Sequence, residues 1–209
     1  MGATADAQAG AGSLEREWWL RTLLVLQRPR PVFAALRDDS EAAAGARQEP
    51  VLALVFLAGI ASVLASGTAG RLRDNASQDF DALLIAVWAI VGGGMYGVFS
   101  YFAVGVLVLL VLRLLGSGAT YRQARHVLAL AAAPVALWFL AVWPVQLAYF
   151  GRDLFRSGGD DTGTAASVFD AVGAAFLLWA LALLVVGILT LRTYVPPPRV
   201  VARPRRPNP

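Results

Sequence analysis

The sequence predicts an all-α, polytopic helical membrane protein with about four transmembrane helices, preceded by an interfacial amphipathic helix. Hydrophobic residues make up 57% of the 209 residues and charged residues only 15%, whereas soluble domains carry about 25% charged residues. The charges are also clustered, so that long apolar stretches alternate with short polar ones. These apolar stretches are long enough for helices to cross a hydrocarbon core of about 30 Å.

The first 50 residues divide into two parts. Residues 1–12 are small and polar, which predicts a disordered tail. Residues 13–50 predict cytoplasmic or interfacial amphipathic helices, because their charges follow one another too closely for a membrane span. We expect Trp18 and Trp19 to lie at the depth of the lipid headgroups. A helix packed on the bundle is the alternative.

Residues 51–192 predict a transmembrane bundle of four spans, followed by a Pro/Arg-rich cytoplasmic tail at 193–209. The approximate bounds of the spans are 51–69, 82–113, 127–150 and 171–191. The second apolar stretch would form a helix of about 46 Å, which is too long for one upright crossing. A tilted helix, a kink at Gly92–Gly94 and an interfacial piece followed by a span all fit. We favour a single crossing that breaks at the three glycines.

A short polar segment separates the second span from the third. Gly116 and Gly118 end one helix, and Thr120 followed by Gln123 predicts a capping box that starts the next. Pro134 then lies deep in the third span, where proline removes a backbone hydrogen bond. We expect a bend there that faces protein rather than lipid, because the freed carbonyl needs a partner.

The arginines predict the orientation of the spans. All 18 basic residues are arginine, and with four spans fourteen of them lie on the side of the two termini and of the 113–125 loop. Arg71, Arg73, Arg152 and Arg156 lie on the opposite side. The positive-inside rule therefore places both termini in the cytoplasm. The exclusive use of arginine, together with abundant alanine, suggests a GC-rich bacterial gene and thus the bacterial inner membrane.

Residue types that carry catalysis or bind metals are scarce in the predicted spans. The chain has no cysteine, and its single histidine, His126, has Arg125 beside it and no carboxylate nearby in the sequence. The acidic pair in residues 159–161 is typical of a solvated turn. We expect no enzyme activity, cofactor or metal, and no nucleic-acid partner, because the arginines are dispersed among loops. Gly93 and Gly97 have the spacing of a close helix contact.

Three stretches resemble signatures of the Yip (Ypt/Rab-interacting protein) domain family. "LQRPRPVFAALRDD" is similar to the segment before that family's first span, through Pro31, Phe33 and Leu36. "LLGSGATYRQARHVLALAAAPVALW" resembles the family's middle signature. The matching positions are Gly116, Gly118, Tyr121, Arg125 and Pro134. "LLWALALLVVGILTL" is similar to a later span, so the resemblance covers roughly residues 26–192.

The resemblance implies a multi-pass membrane protein. Eukaryotic members of the family bind prenylated Rab GTPases and take part in vesicle traffic, and members usually have five spans, whereas four are predicted here. We expect an integral membrane protein that organises protein partners or lipids at the cytoplasmic membrane face. Its expected partners are membrane lipids and an unidentified membrane or cytoplasmic protein. A second copy of the same chain, in a homo-oligomer, is a further possible partner. The alternative is a small transporter or channel with a site at the helices broken by proline and glycine.

Overall fold

The computed structural model describes residues 2–66, 82–155 and 163–193. These residues form nine α-helices and one short 3-10 helix, and none of them lies in a β-strand. The α-helices are α1 (Gly2–Leu24), α2 (Pro29–Ala35), α3 (Glu41–Ala46), α4 (Gln48–Ala65), α5 (Ala82–Leu114), α6 (Tyr121–Ala131), α7 (Ala133–Ala141), α8 (Trp143–Phe150) and α9 (Thr164–Leu191). The 3-10 helix, Gly151–Phe155, directly follows α8.

Four helical stretches of the described chain are long and apolar enough to cross a membrane. They are Glu41–Ala65, Ala86–Leu114, Tyr121–Phe150 and Thr164–Leu191. The predicted all-α, multi-pass membrane fold is therefore confirmed. The first, third and fourth stretches begin earlier than predicted, at residues 41, 121 and 164 rather than 51, 127 and 171, because helical structure extends into the polar residues that precede each apolar run.

A large buried cluster lies at one end of the bundle, where α2, α5, α6 and α9 meet. Its fully buried members include Phe33, Leu36, Leu112, Leu130 and Leu191. We call this end, formed by residues 25–47, 101–126 and 183–193, the arginine-rich end. Elsewhere α5 and α9 expose large apolar side chains, as helices that face lipid do.

Helix α1 differs from the prediction in two places. Residues 2–12 are helical rather than disordered, and alanine, the strongest helix former, occupies five of these positions. Trp18 is only 3% exposed, whereas Trp19 is 42% exposed. The prediction of a headgroup position is wrong for Trp18, because the guanidinium groups of Arg21 and Arg47 cover its ring at 4.8 and 5.7 Å from the centroid.

The second candidate span lies in one continuous helix, α5, so the predicted break at Gly92–Gly94 is wrong. Glycine lowers helix propensity but, unlike proline, it keeps the N–H that the helix needs. Within a bilayer every backbone hydrogen bond is worth keeping, because water is absent. The three glycines therefore leave the helix intact.

Glycines instead allow α4 and α5 to approach each other closely. A Cβ added at Gly93 would lie 2.6 Å from the Cα of Ile60, and one added at Gly97 would lie 3.1 Å from the Cα of Gly59. The two backbones thus touch along this stretch, and any side chain would push them apart. Because lipid offers no hydrophobic drive for helix association, such close packing is a main source of stability between spans.

The third candidate span consists of three helical segments. Helix α6 ends at Ala131, and turns at Ala132 and Val142 separate it from α7 and α8. Each turn lies two residues before a proline, Pro134 or Pro144, which occupies the first turn of the following segment. Pro134 is buried, and α7 packs against α4 and α9. The helix is thus interrupted two residues before Pro134, and Pro134 itself faces protein, as predicted.

We expect Gly93→Ala to destabilise the protein, because its methyl group would overlap the backbone of Ile60. Overpacking of this kind costs about 1–3 kcal/mol, so the thermal unfolding midpoint in detergent, followed by tryptophan fluorescence, should fall. Gly92→Ala is the matched control, since a Cβ there lies 3.7 Å from the nearest atom of Trp88, an ordinary contact. Equal midpoints for the two variants would contradict a glycine-mediated contact.

Candidate functional site at the arginine-rich end

The site is built on the first turns of α6, which a capping box fixes in place. The hydroxyl of Thr120 accepts a hydrogen bond from the backbone N–H of Gln123 at 3.2 Å. The side-chain oxygen of Gln123 in turn accepts from the backbone N–H of Thr120 at 2.8 Å. Gly116, with a φ of +79°, lets the chain reverse just before this point. Arg122, Arg125 and His126 therefore project from a well-defined helix start.

The carboxylate of Asp39 collects three side chains around itself. Its Oδ1 accepts hydrogen bonds from Arg47 at 2.7 Å and from Arg122 at 2.8 Å. Its Oδ2 accepts from the hydroxyl of Thr120 at 2.9 Å. We call Asp39, Arg47, Thr120, Arg122 and His126 the Asp39 cluster. It joins the connection between α2 and α3 to the start of α6, more than 80 residues away in the sequence.

Arg47 is fully buried, and all three of its nitrogens have partners. Its Nε donates to Nδ1 of His126 at 2.8 Å, and its two terminal nitrogens donate to the backbone oxygen of Asp38 and to the carboxylate of Asp39, each at 2.7 Å. An imidazole nitrogen that accepts a hydrogen bond carries no proton. Nδ1 of His126 is therefore unprotonated, and the imidazole accepts a hydrogen bond from the buried guanidinium of Arg47.

Two further carboxylates extend the cluster towards solvent. Arg122 donates to the backbone oxygen of Asp39 at 2.8 Å and to Glu41 at 3.2 Å, and the Glu41 side chain is 93% exposed. The backbone N–H of Ser40 donates to the Asp38 carboxylate at 3.1 Å and holds the pKa of that group below its usual range. Both acidic residues thus add negative charge beside the arginines.

Side-chain bonds to backbone oxygens tie the other elements of this end together. Gln123 donates to Leu36 at 2.9 Å and so connects α6 with the end of α2. Arg37 donates to Thr190 at 2.8 Å and Ser117 to Leu191 at 2.7 Å, and both bonds reach the last turn of α9. These carbonyls lack helical partners at the ends of their helices. The arginine-rich end is therefore one connected unit.

Arg125 stands apart from the Asp39 cluster and lies among aromatic rings. Its guanidinium carbon is 5.0, 4.6 and 4.7 Å from the ring centroids of Tyr101, Phe102 and Tyr121. Such distances are those of cation–π contacts. The hydroxyl of Tyr121 donates to the backbone oxygen of Phe102 at 2.8 Å, which holds two of the rings in position. A cavity of about 290 Å³ lies beside this arginine.

A comparison with protein families identifies the chain. Residues 23–201 match the Yip1 domain. The chain belongs to the Yip1 domain family. The resemblance predicted from the sequence is thereby confirmed, and the matched range includes the whole Asp39 cluster. No curated protein and no solved structure matches the chain.

The Yip1 signature residues that precede the first span lie in or near the buried core. Phe33 and Leu36 are fully buried, whereas Pro31 is exposed in α2. Phe33 and Leu36 share the core with Ala124 and Val127 of α6. Helix α2 packs on α9, and this shared core together with the bond from Gln123 to Leu36 brings the first signature segment of the Yip1 domain against the middle one.

The residues of the middle signature occupy two separate places. Gly116, Gly118, Tyr121 and Arg125 lie at the arginine-rich end, where Tyr121 contacts Arg125 directly. Pro134 lies further along the third span, against α4 and α9. The predicted helix-contact pair, Gly93 and Gly97, lies at the contact of α4 with α5. Pro134, Gly93 and Gly97 therefore belong to the packing framework around the site, whereas Tyr121 and Arg125 lie at the site.

Sequence reasoning missed Asp39 and Arg47 and gave His126 little weight. The available signal was the acidic pair at 38–39, which stands out in an arginine-rich segment. The partners of Asp39 at the start of α6 lie 81 and 83 residues away, and His126 lies 79 residues from Arg47, so no local pattern connects them. Within the described ranges no group of three His, Asp or Glu side chains could hold a metal ion. Residues 159–161 and most of the predicted 193–209 tail lie outside those ranges.

We expect Asp39→Asn to destabilise the protein strongly, because it leaves the buried Arg47 and the adjacent Arg122 without their shared counter-charge. Breaking a buried ion pair from one side costs about 3 kcal/mol or more, which a chemical unfolding titration in detergent would measure. Glu41→Gln is the control, since an exposed carboxylate contributes little to stability. A midpoint for Asp39→Asn that equals that of Glu41→Gln would show that the cluster is not a stabilising element.

Proposed function

We propose that this Yip1 domain protein is a non-enzymatic integral membrane protein that organises protein partners or lipids at the cytoplasmic face of the cell membrane. The observation that carries the proposal is the Asp39 cluster. Its ionised groups are bonded to one another, with Arg47 fully buried. Groups engaged in this way hold the start of α6 and the segment before α3 in one fixed arrangement.

Exposed groups at the arginine-rich end support a role in binding partners. Three arginines are exposed there: Arg37, Arg113 and Arg192. The apolar side chains that directly follow Arg113, Leu114 and Leu115, are exposed as well. Arginine beside exposed apolar side chains is typical of protein contact surfaces. Because this end is tied together by side-chain bonds, it can present such a surface without an ordering cost on binding.

The orientation is part of the proposal. Both termini and the loop between the second and third spans lie on the cytoplasmic side, as the arginine distribution favours. The arginine-rich end then faces the negatively charged cytoplasmic leaflet and any protein bound there.

A transporter or channel is the second candidate, and the broken third span favours it. Turns at Ala132 and Val142 interrupt this span, and a groove of about 210 Å³ runs beside the first turn. Ser62, Tyr96 and Ser100 line the groove. Discontinuous helices with polar side chains at membrane depth form the binding sites of many transporters.

Site-specific photocrosslinking in native membranes tests the proposal. A photoreactive residue at Arg113 or Leu115, both exposed at the arginine-rich end, should give discrete crosslinked bands. The same probe at Val145 or Tyr149, which are exposed at the opposite end of the third span, is the control and should not. Crosslinks of equal pattern at both ends, or solute flux through proteoliposomes of the pure protein, would favour the transporter.

Reporter fusions test the orientation. We expect fusions at residue 75, at Gly118 and at the C-terminus to read outside, inside and inside, because the arginine-rich loops stay in the cytoplasm. Paired periplasmic and cytoplasmic reporters, such as alkaline phosphatase and a fluorescent protein, measure this directly. A periplasmic C-terminus would contradict the four-span orientation and indicate a fifth crossing.

A further inference from the structure

Arg125 keeps a charge that no carboxylate of the described chain neutralises. Its guanidinium lies among the rings of Tyr101, Phe102 and Tyr121. Its Nε is buried and has no hydrogen-bond acceptor among the described residues. Aromatic rings stabilise a cation without cancelling its charge. An arginine held in this way is prepared to bind an anion.

The cavity beside Arg125 offers room for such an anion. Its polar lining, besides Arg125, consists of Glu41, Gln48, Tyr101, Arg122 and His126. The charge of Arg122 is matched by its bonds to Asp39 and Glu41. The imidazole of His126 accepts from Arg47. The uncompensated charge in the cavity is therefore the positive charge of Arg125, and a buried unpaired donor gains most from a negatively charged acceptor.

Part of the cavity wall is apolar and continues onto the surface of the spans. Leu52 and Phe102 line the cavity, and each keeps more than two fifths of its surface exposed. Both belong to candidate membrane spans. A group bound in the cavity would therefore lie at the edge of the lipid rather than in open solvent.

A second groove shares Tyr101 with the cavity, and its lining is mostly apolar apart from Ser62, Tyr96 and Ser100. Tyr101 lines both spaces, and the groove of about 210 Å³ continues between α4, α5 and the third span. Small and apolar side chains make up much of its lining, including Val55, Gly59, Gly97, Ala129, Ala132 and Val135. A molecule with an anionic head and a hydrocarbon chain matches this pair of neighbouring spaces, with the head in the cavity and the chain in the groove.

We propose that Arg125 binds the phosphate of an anionic membrane phospholipid, whose acyl chain lies in the groove beyond Tyr101. The planar guanidinium pairs with phosphate oxygens through parallel hydrogen bonds. The lipid is favoured over free phosphate, which shares the head chemistry but makes no use of the apolar groove. The inference rests on the proposed function in that the arginine-rich end meets a leaflet, but the binding itself is measurable in detergent without a protein partner.

Native mass spectrometry of the delipidated full chain tests this site. Titrated with phosphatidylglycerol or with phosphatidylcholine of the same acyl chains, the protein should bind one phosphatidylglycerol in preference, because choline would bring a second cation towards Arg125. Arg125→Gln should weaken phosphatidylglycerol binding about tenfold or more, as the loss of a charge-assisted hydrogen bond predicts. Arg30→Gln removes an exposed arginine from the same end and should leave the binding unchanged.

Gly45→Leu provides a second variant that leaves Arg125 intact. Gly45 lines the cavity, and a Cβ added there meets no atom within 4 Å. The leucine should therefore occupy the cavity without strain and reduce phosphatidylglycerol binding. This variant decides the question if Arg125→Gln fails to fold.

The outcomes separate the sources of the phosphate and the two proposals. An excess of inorganic phosphate should not displace the lipid, and displacement would overturn the lipid assignment in favour of a soluble phosphate compound. Equal binding of the two lipids, or unchanged binding in the folded cavity variants, would overturn the site. The protein could bind phosphatidylglycerol and yet give no crosslinks to a partner. That result would support the lipid site and would contradict only the protein-partner part of the proposed function.

Discussion

The buried charge of Arg47 is the constraint on which the arginine-rich end depends. Removing a guanidinium from water costs several kcal/mol unless each of its donors finds a partner. Those partners come from the segment before α3 and from the third span, through Asp38, Asp39 and His126. The charge therefore cannot be buried until both parts of the chain are in place. Trp18 covers the same group, so α1 also belongs to the enclosure.

The arginine-rich end and the interior of the spans are stabilised in different ways. At the arginine-rich end, charged and amide side chains bridge helices and satisfy backbone carbonyls that the helices leave open. Along α4 and α5, bare backbone meets bare backbone at Gly59, Gly93 and Gly97. Polar bridges are suited to the region that water reaches, and close backbone packing is suited to the hydrocarbon, where polar groups are costly.

The sequence predicts what is local and misses what is distant. The apolar spans and the Thr120–Gln123 capping box follow from neighbouring residues, and both are present. The hydrogen bond between Arg47 and His126 joins residues that are 79 positions apart, and no short sequence pattern predicts it. The glycines of α5 were misread because glycine weakens helices in water, whereas in lipid the helix keeps its hydrogen bonds. Composition also fails to distinguish Trp18 in a protein core from a tryptophan at headgroup depth, since both surroundings are partly apolar.

The separation of 79 residues between Arg47 and His126 in the sequence also determines the order of steps in biogenesis. Ribosomes add about 5–20 residues per second, so Arg47 leaves the ribosome roughly 4–16 s before the histidine that completes its shell. During that interval the first span can enter the bilayer, but its arginine must stay hydrated. The segment before α3 can therefore dock only after the third span has been inserted. Closure of the arginine-rich end therefore follows the synthesis of residue 126, and in a chain arrested before that residue Arg47 would stay hydrated.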